Sequence, residues 1–324
     1  MPMPSLKEIK NRITSVNSTR KITSAMKMVA SSKLHHAQTM IENMLPYETM
    51  LEHILKSFLA SEADARTVLS QERPVRSVAL VVYASNSSLC GGFNANVIRL
   101  LQQIVDEYSD LGKDNLVVYP IGRKVAEKAA KMELRIAGDF TALSDKPNVK
   151  DCIDIAKNLA SDFAAGKVDR VEMVYHHFKS AGSQILTRKT FLPIDLSEEL
   201  ARDHSRELGS VATSKEAQEY IKNNAQKTEV RTSETVKPLN DNFIVEPDLN
   251  TVLSKLIPKY LHLMVYTALL DSLASEHAAR MVAMQTATDN ADELLRGLNL
   301  QYNKSRQQAI TNELLDIVGG SVNN

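Results

Sequence analysis

Residues 88–96, SLCGGFNAN, follow a Val-rich run and precede a helical one, the place where an α/β fold cradles a phosphate. The N–H groups of a glycine turn at a helix N-terminus would supply that chemistry. The spacing argues against it. The stretch matches neither G-x-G-x-x-G nor G-x-x-x-x-G-K-[ST], and no acid ends the second Val-rich run to hold a ribose. A tight strand-to-helix turn is the expectation. Cys90 lacks a neighbouring His or cationic cluster that would favour its thiolate, so it reads as a small packed residue. Paired histidines occur at His35–His36 and His176–His177. Neighbours diverge on a helix and face opposite ways on a strand, so neither pair chelates one metal alone. His277 and Arg280 lie three apart on one face of an apolar helical seam, where a register-setting polar layer is the plain reading. Residues 20–37, RKITSAMKMVASSKLHHA, carry Arg20, Lys21, Lys27 and Lys33 and no acid. Such a face suits nucleic-acid phosphates, but the whole chain has a formal net charge of +0 and offers no aromatic stacking platform. No nucleic acid is expected as a partner.

The elements that must position these residues fall into three groups. From Leu6, alternate steps of three and four reach Leu6, Ile9, Ile13, Val16, Arg20, Thr23, Lys27, Ala30, Leu34, Ala37, Ile41, Met44, Glu48, Leu51, Leu55 and Phe58, a heptad seam over residues 1–59. At Arg20, Thr23 and Lys27 the apolar track is expected to move over by one, to Ile22, Met26 and Val29. Pro46 is expected to kink this helix. Residues 76–196 then change period. Strands are predicted at 77–85, 115–122, 134–140, 170–178 and 183–194, with helices at about 94–109, 122–132 and 148–165 between the first four. That alternation predicts a mostly parallel sheet with right-handed crossovers, whose last two strands pair antiparallel. Residues 197–246 are polar and read as an insertion or linker.

Residues 247–320 form a second helical stretch. Its seam steps through Leu249, Val252, Leu256, Lys259, Leu263, Tyr266, Leu270, Leu273, His277, Arg280, Met284, Ala287, Ala291, Leu294 and Leu298. A continuous helix there would extend on the order of 100 Å, more than any compact domain of this size needs. Its partner is expected to be the N-terminal seam, in an antiparallel two-helix coiled coil with the α/β domain inserted. Charge agrees: residues 1–41 hold seven Lys or Arg and one acid, whereas 263–318 hold seven acids and four Lys or Arg. Two independent helices packed on the sheet are the alternative. The chain has 43% hydrophobic residues, two cysteines without metal spacing, no signal-like N-terminus and no membrane-spanning run, which suits a reducing compartment.

The stretch LKEIKNRITSVNSTRKITSAMKMVASSKL, residues 6–34, resembles the N-terminal helix of gamma subunits of rotary F-type ATP synthases. LASEHAARMVAMQTATDNADELL (273–295) and YNKSRQQAITNELLDIVGG (302–320) are similar to the C-terminal helix of that family, and SLCGGFNANV to the start of its Rossmann-like domain. Gly319-Gly320 replaces the family's usual Gly-Ala, the 197–242 loop is longer than usual, and the cysteine pair of the redox-controlled chloroplast form is missing. The resemblance implies a central rotor shaft that couples rotation of a proton-driven membrane c-ring to conformational change at beta-subunit sites. It implies no catalysis and no cofactor in this chain itself. The implied partners are the alpha, beta and epsilon subunits and the c-ring. The implied location is peripheral, on the cytoplasmic face of a bacterial inner membrane, with membrane contact only through partner subunits. The resemblance places Met26, Arg280, Arg306, Gln307, Thr311 and Glu313 at rotor–stator positions. Arg20, Lys21 and Lys27 are then expected to leave the seam and face acidic loops of the beta subunit. A nucleotide-binding α/β enzyme and a coiled-coil scaffold are the competing readings.

Overall fold

The computed structural model describes residues 5–61, 68–194, 246 and 248–322. The chain divides into two compact units, one formed by Ser32–Ala279 and the other by Met1–Ser31 with Arg280–Asn324. Two long helices, α1 (Leu6–Ser61) and α5 (Leu249–Val322), contribute to both. Ser5 and Glu8 start α1 with a reciprocal capping box, the Ser5 N–H donating to Glu8 Oε2 at 2.8 Å and the Glu8 N–H to Ser5 Oγ at 3.3 Å. Asp248 caps α5, accepting from the Thr251 N–H at 2.8 Å. Helix α1 continues through Pro46, and α5 through Pro258.

The Ser32–Ala279 unit is built on a five-stranded sheet of order β3-β2-β1-β4-β5. Its strands are β1 (Val78–Tyr83), β2 (Leu116–Ile121), β3 (Arg135–Ile136), β4 (Arg170–Ser180) and β5 (Ser183–Leu192). The first four are parallel neighbours, and β4 and β5 form an antiparallel pair. Central β1 is buried over all six residues, which is why it reads as an unbroken apolar run. Helices α2 (Phe93–Glu107) and α3 (Arg123–Lys131) cover one face, where Val97, Leu101, Ile104, Val125 and Ala129 pack on Val78, Leu80 and Val82. On the other face Tyr83 neighbours Cys152 of α4 (Val149–Ala164) and hydrogen-bonds α5. The predicted third strand, 134–140, shortens to two residues. Its chain turns away so that Phe140 stacks on Tyr119 at 5.8 Å.

Two expectations about α5 need correction. A single seam predicts one buried stripe, yet Leu263–Glu276 is buried on nearly every side, Thr267 alone being half-buried. This stretch packs on α1 and on the sheet at once, so it is apolar all round. Nearer the C-terminus Leu294 is 55% exposed while Leu295 is half-buried; the seam has moved by one residue there. The polar stretch 197–246 lies outside the described residues except for Glu246.

At the C-terminal ends of β1 and β2 the backbones approach closely. A Cβ on Gly122 would stand 2.0 Å from the Ala84 carbonyl oxygen, and the glycine's φ is +108°. Gly122→Ala is therefore expected to destabilise by about 3 kcal/mol or more, read as loss of soluble protein or of a cooperative melt. The second expectation concerns acid. Burial pushes the His176 imidazole down from 6.5 to about 4. Because the folded value lies below the unfolded one, the stability this neutral ring contributes is complete above pH 6.5 and is lost as pH falls towards 4. From pH 7 to pH 5 the loss is about 2 kcal/mol. His176→Phe keeps a ring stacked against Phe93, now 4.4 Å away, and should flatten the acid limb of denaturant-unfolding curves.

Candidate functional site

The 88–96 loop forms the expected turn. Leu89 (φ 69°) and Gly91 (φ 58°) reverse the chain, and Gly92 caps α2. Its polar side chains hydrogen-bond within the chain. Asn94 Nδ2 donates to Ser85 Oγ at 2.7 Å and to Cys90 Sγ at 3.2 Å, and the Ser85 hydroxyl donates to the Ser87 carbonyl at 2.5 Å. Arg123 donates to the Asn86 carbonyl at 2.8 Å, and Asn86 Nδ2 donates to Asp145 at 2.7 Å. Cys90 is buried. Among the described residues no group of three or more His, Cys, Asp or Glu is placed to hold a metal ion. His35 and His36 are both exposed, while His176 and His177 lie on opposite faces of β4, against Phe93 and Asp271 respectively.

The polar residues that the seam carries have a different use. In the unit formed by both chain ends, Arg20 Nη1 pairs with Asp292 Oδ1 at 3.1 Å, and one helical turn on, Thr23 and Thr288 join their hydroxyls at 2.8 Å. The numbers rise on α1 as they fall on α5, so the helices run antiparallel. Thr23 is 9% exposed, and its hydroxyl also reaches the Arg20 carbonyl at 3.0 Å; that of Thr288 reaches Met284 O at 2.8 Å. This arrangement corrects the expected side-step of the seam. Ile22 and Val29 are 60% and 57% exposed, while Arg20 and Thr23 remain in the interface. Each polar group finds a partner at its own level on α5, so the apolar track has no reason to shift. Asp292 and Thr288 were missed by sequence reasoning. The only signal was a buried-position threonine that needed a polar counterpart on the opposite helix.

The remaining expected positions are spread along this unit. Lys21 is exposed, Met26 and Lys27 are half-buried, and Arg280 is half-buried. Arg306, Gln307, Thr311 and Glu313 are all exposed, Thr311 donating only within its helix, to Gln307 O at 2.9 Å. Carried along both helices, the Arg20–Asp292 register brings the first turn of α1 level with Arg306. Thr311 and Glu313 then stand beyond the start of α1, and every residue from Ile310 to Leu315 is exposed.

A family profile described as ATP synthase matches residues 5–322. An ATP synthase gamma chain of Phocaeicola vulgatus is 50% identical over 320 residues, covering 99% of this chain and all of that one. That of Flavobacterium johnsoniae is 39% identical over 320 residues, covering 98% of each. The fold is similar to that of a chain in the Euglena gracilis mitochondrial ATP synthase (OSCP/F1/c-ring, rotational state 3), with TM-score 0.58 and 18% identity over 98% of this chain and 93% of that one. A chain from the central stalk and c-ring of the Tetrahymena thermophila enzyme gives TM-score 0.54 and 24% identity, over 82% of this chain and 99% of that one.

The threonine pair allows a double-mutant test. Thr23→Val or Thr288→Val alone removes one interhelical hydrogen bond and should cost about 1 kcal/mol. The double variant replaces the layer with apolar packing and should cost less than the two single losses together, by about 0.5 kcal/mol or more. Thermal or denaturant unfolding checks it; strict additivity would mean that the hydroxyls do not act as a pair.

Proposed function

This chain belongs to the ATP synthase gamma chain family, and from that premise we propose that it is the central rotor shaft of a proton-translocating ATP synthase. It is turned by the membrane c-ring and drives the beta-subunit sites of a surrounding alpha–beta ring through their conformational cycle. Epsilon stands beside its α/β domain. The covalent step belongs to the ring, and this chain supplies a mechanical coupling free energy between remote sites. It works on the cytoplasmic face of a bacterial inner membrane, and among the described residues no helix is long and apolar enough to cross that membrane.

The observation that carries this reading is the bare end of α5. Ile310, Leu314 and Leu315 are 50%, 57% and 63% exposed on a stretch of helix that, among the described residues, lies past the first turn of α1. Single exposed apolar residues are ordinary, but three within six residues near the end of one helix favour a protein environment around it. Arg306, Gln307, Thr311 and Glu313 on the same segment are the coupling contacts, with Lys21, Met26, Lys27 and Arg280 lower down. Arg20 acts differently from the others, because its guanidinium is engaged within the chain by Asp292. Contacts of this kind must be few and polar. A rotor bound strongly at every angle would stall.

Reconstitution with the alpha, beta and epsilon subunits and the membrane c-ring sector in sealed vesicles tests the reading, with ion pumping per ATP hydrolysed as the readout. Met26→Lys places a charge at a half-buried position beside the seam, and Arg280→Glu reverses one; each should lower ATP-driven pumping per ATP hydrolysed by about tenfold while assembly falls less than twofold. Equal losses of assembly and coupling would mean that these residues only hold the helices together.

A further inference from the structure

Within the Ser32–Ala279 unit, polar contacts tie α5 to the sheet across a largely apolar interface; Lys189 Nζ of β5 donates to Met264 Sδ at 3.9 Å, and three more involve buried groups. The Tyr83 hydroxyl, on β1, donates to the Val265 carbonyl at 3.0 Å. His177 Nδ1, on β4, meets Asp271 Oδ2 at 2.8 Å. The Ser275 hydroxyl donates to the His176 carbonyl at 3.2 Å. All three come from the interior: Tyr83 is 1%, Asp271 3% and Ser275 0% exposed. Asp271 and Ser275 are four residues apart and so share the face of α5 that looks onto β4. Their surroundings are Leu269, Leu270, Leu273, Ala274 and Ala278, all buried.

Apolar surfaces resist sliding weakly, because hydrophobic attraction has no direction and a shifted helix still buries most of the same area. A buried hydroxyl or carboxylate behaves differently. A small rotation or axial shift of α5 leaves both it and its partner without a hydrogen bond and away from water. We propose that Tyr83, His177, Asp271 and Ser275 form a clasp that fixes the angle and height of α5 against the sheet. Load applied to the α/β domain then enters the helix without slip. The proposal rests on the rotor reading and adds to it four positioning residues that are not among its contact positions. The alternation of β4 explains the division of labour. His177 offers its side chain to α5, whereas His176, facing the other way onto Phe93, offers only its carbonyl.

The test uses the full chain assembled with its partner subunits in sealed vesicles, and measures assembly, ATP hydrolysis and ion pumping per ATP. Tyr83→Phe, Asp271→Asn and Ser275→Ala are made singly and together, each keeping the volume of the side chain nearly unchanged. The triple variant should assemble and hydrolyse ATP within about twofold of the parent, while pumping per ATP falls by about fivefold or more. A covalent cross-link between cysteines at His177→Cys and Asp271→Cys, added to Tyr83→Phe/Ser275→Ala, should restore pumping. Unchanged pumping in the triple variant would overturn the clasp. So would a parallel fall of assembly, hydrolysis and pumping in every variant, the conservative singles included, because that is the signature of a purely structural role. If the parent chain itself sustained hydrolysis without any pumping, the rotor reading would fail first.

Discussion

A helix of 56 residues and another of 74 each carry an apolar stripe too long for a compact core to cover. The dominant constraint on this molecule is that the stripes must cover each other, and that any polar group caught between them must find its partner at the same level. Two neighbouring layers obey it, Arg20 with Asp292 and Thr23 with Thr288. Their energies are small. The ion pair is more than a third exposed on both sides and contributes under about 1 kcal/mol. Their larger effect is on alternatives, since sliding either helix by one turn would bury a threonine hydroxyl against apolar carbon.

The same logic governs the α/β domain. Its parallel sheet and glycine turn have the topology of a nucleotide-binding fold, and side chains at the loop after β1 donate to Ser87, Cys90 and Asp145. The polar contacts on the opposite face are spent on α5. The fold serves as a body that grips a helix. A buried carboxylate on the α2 face follows suit: Glu172, 1% exposed, is held by Arg170 at 2.9 Å and Arg188 at 2.8 Å, and accepts from the Tyr108 hydroxyl at 2.9 Å. Arg188 also reaches Glu107, whose carboxyl it holds below the usual range, and so ties the β4–β5 pair to the end of α2. Buried charges are tolerated here because each is paired and hydrogen-bonded.

Charge distribution completes the design. An acid-poor N-terminal helix and an acid-rich C-terminal one attract each other while the whole chain remains neutral. What the paired helices leave outside is mixed, with Lys21, Arg306 and Glu313 beside exposed apolar residues such as Met28 and Leu300. Such a surface suits intermittent contact better than permanent docking, which would bring a larger apolar core and fewer charges.

The sequence alone determined the existence and order of the long helices and strands, and their approximate ends apart from the third strand, because heptad spacing and Val-rich runs are local signals. It also carried the reading of residues 88–96 as a turn, since phosphate loops require particular spacings that this one lacks. It could not decide which way Arg20 and Thr23 point. Their partners lie 272 and 265 residues away, and only the pairing of the chain ends brings Asp292 and Thr288 to their level. The burial of α5 on nearly all sides was hidden for a related reason. A seam reports one neighbour, and this helix has two. Asp271 and Ser275 looked like ordinary polar residues until β4 was laid against them, because a hydrogen bond between distant segments leaves no periodic trace in either.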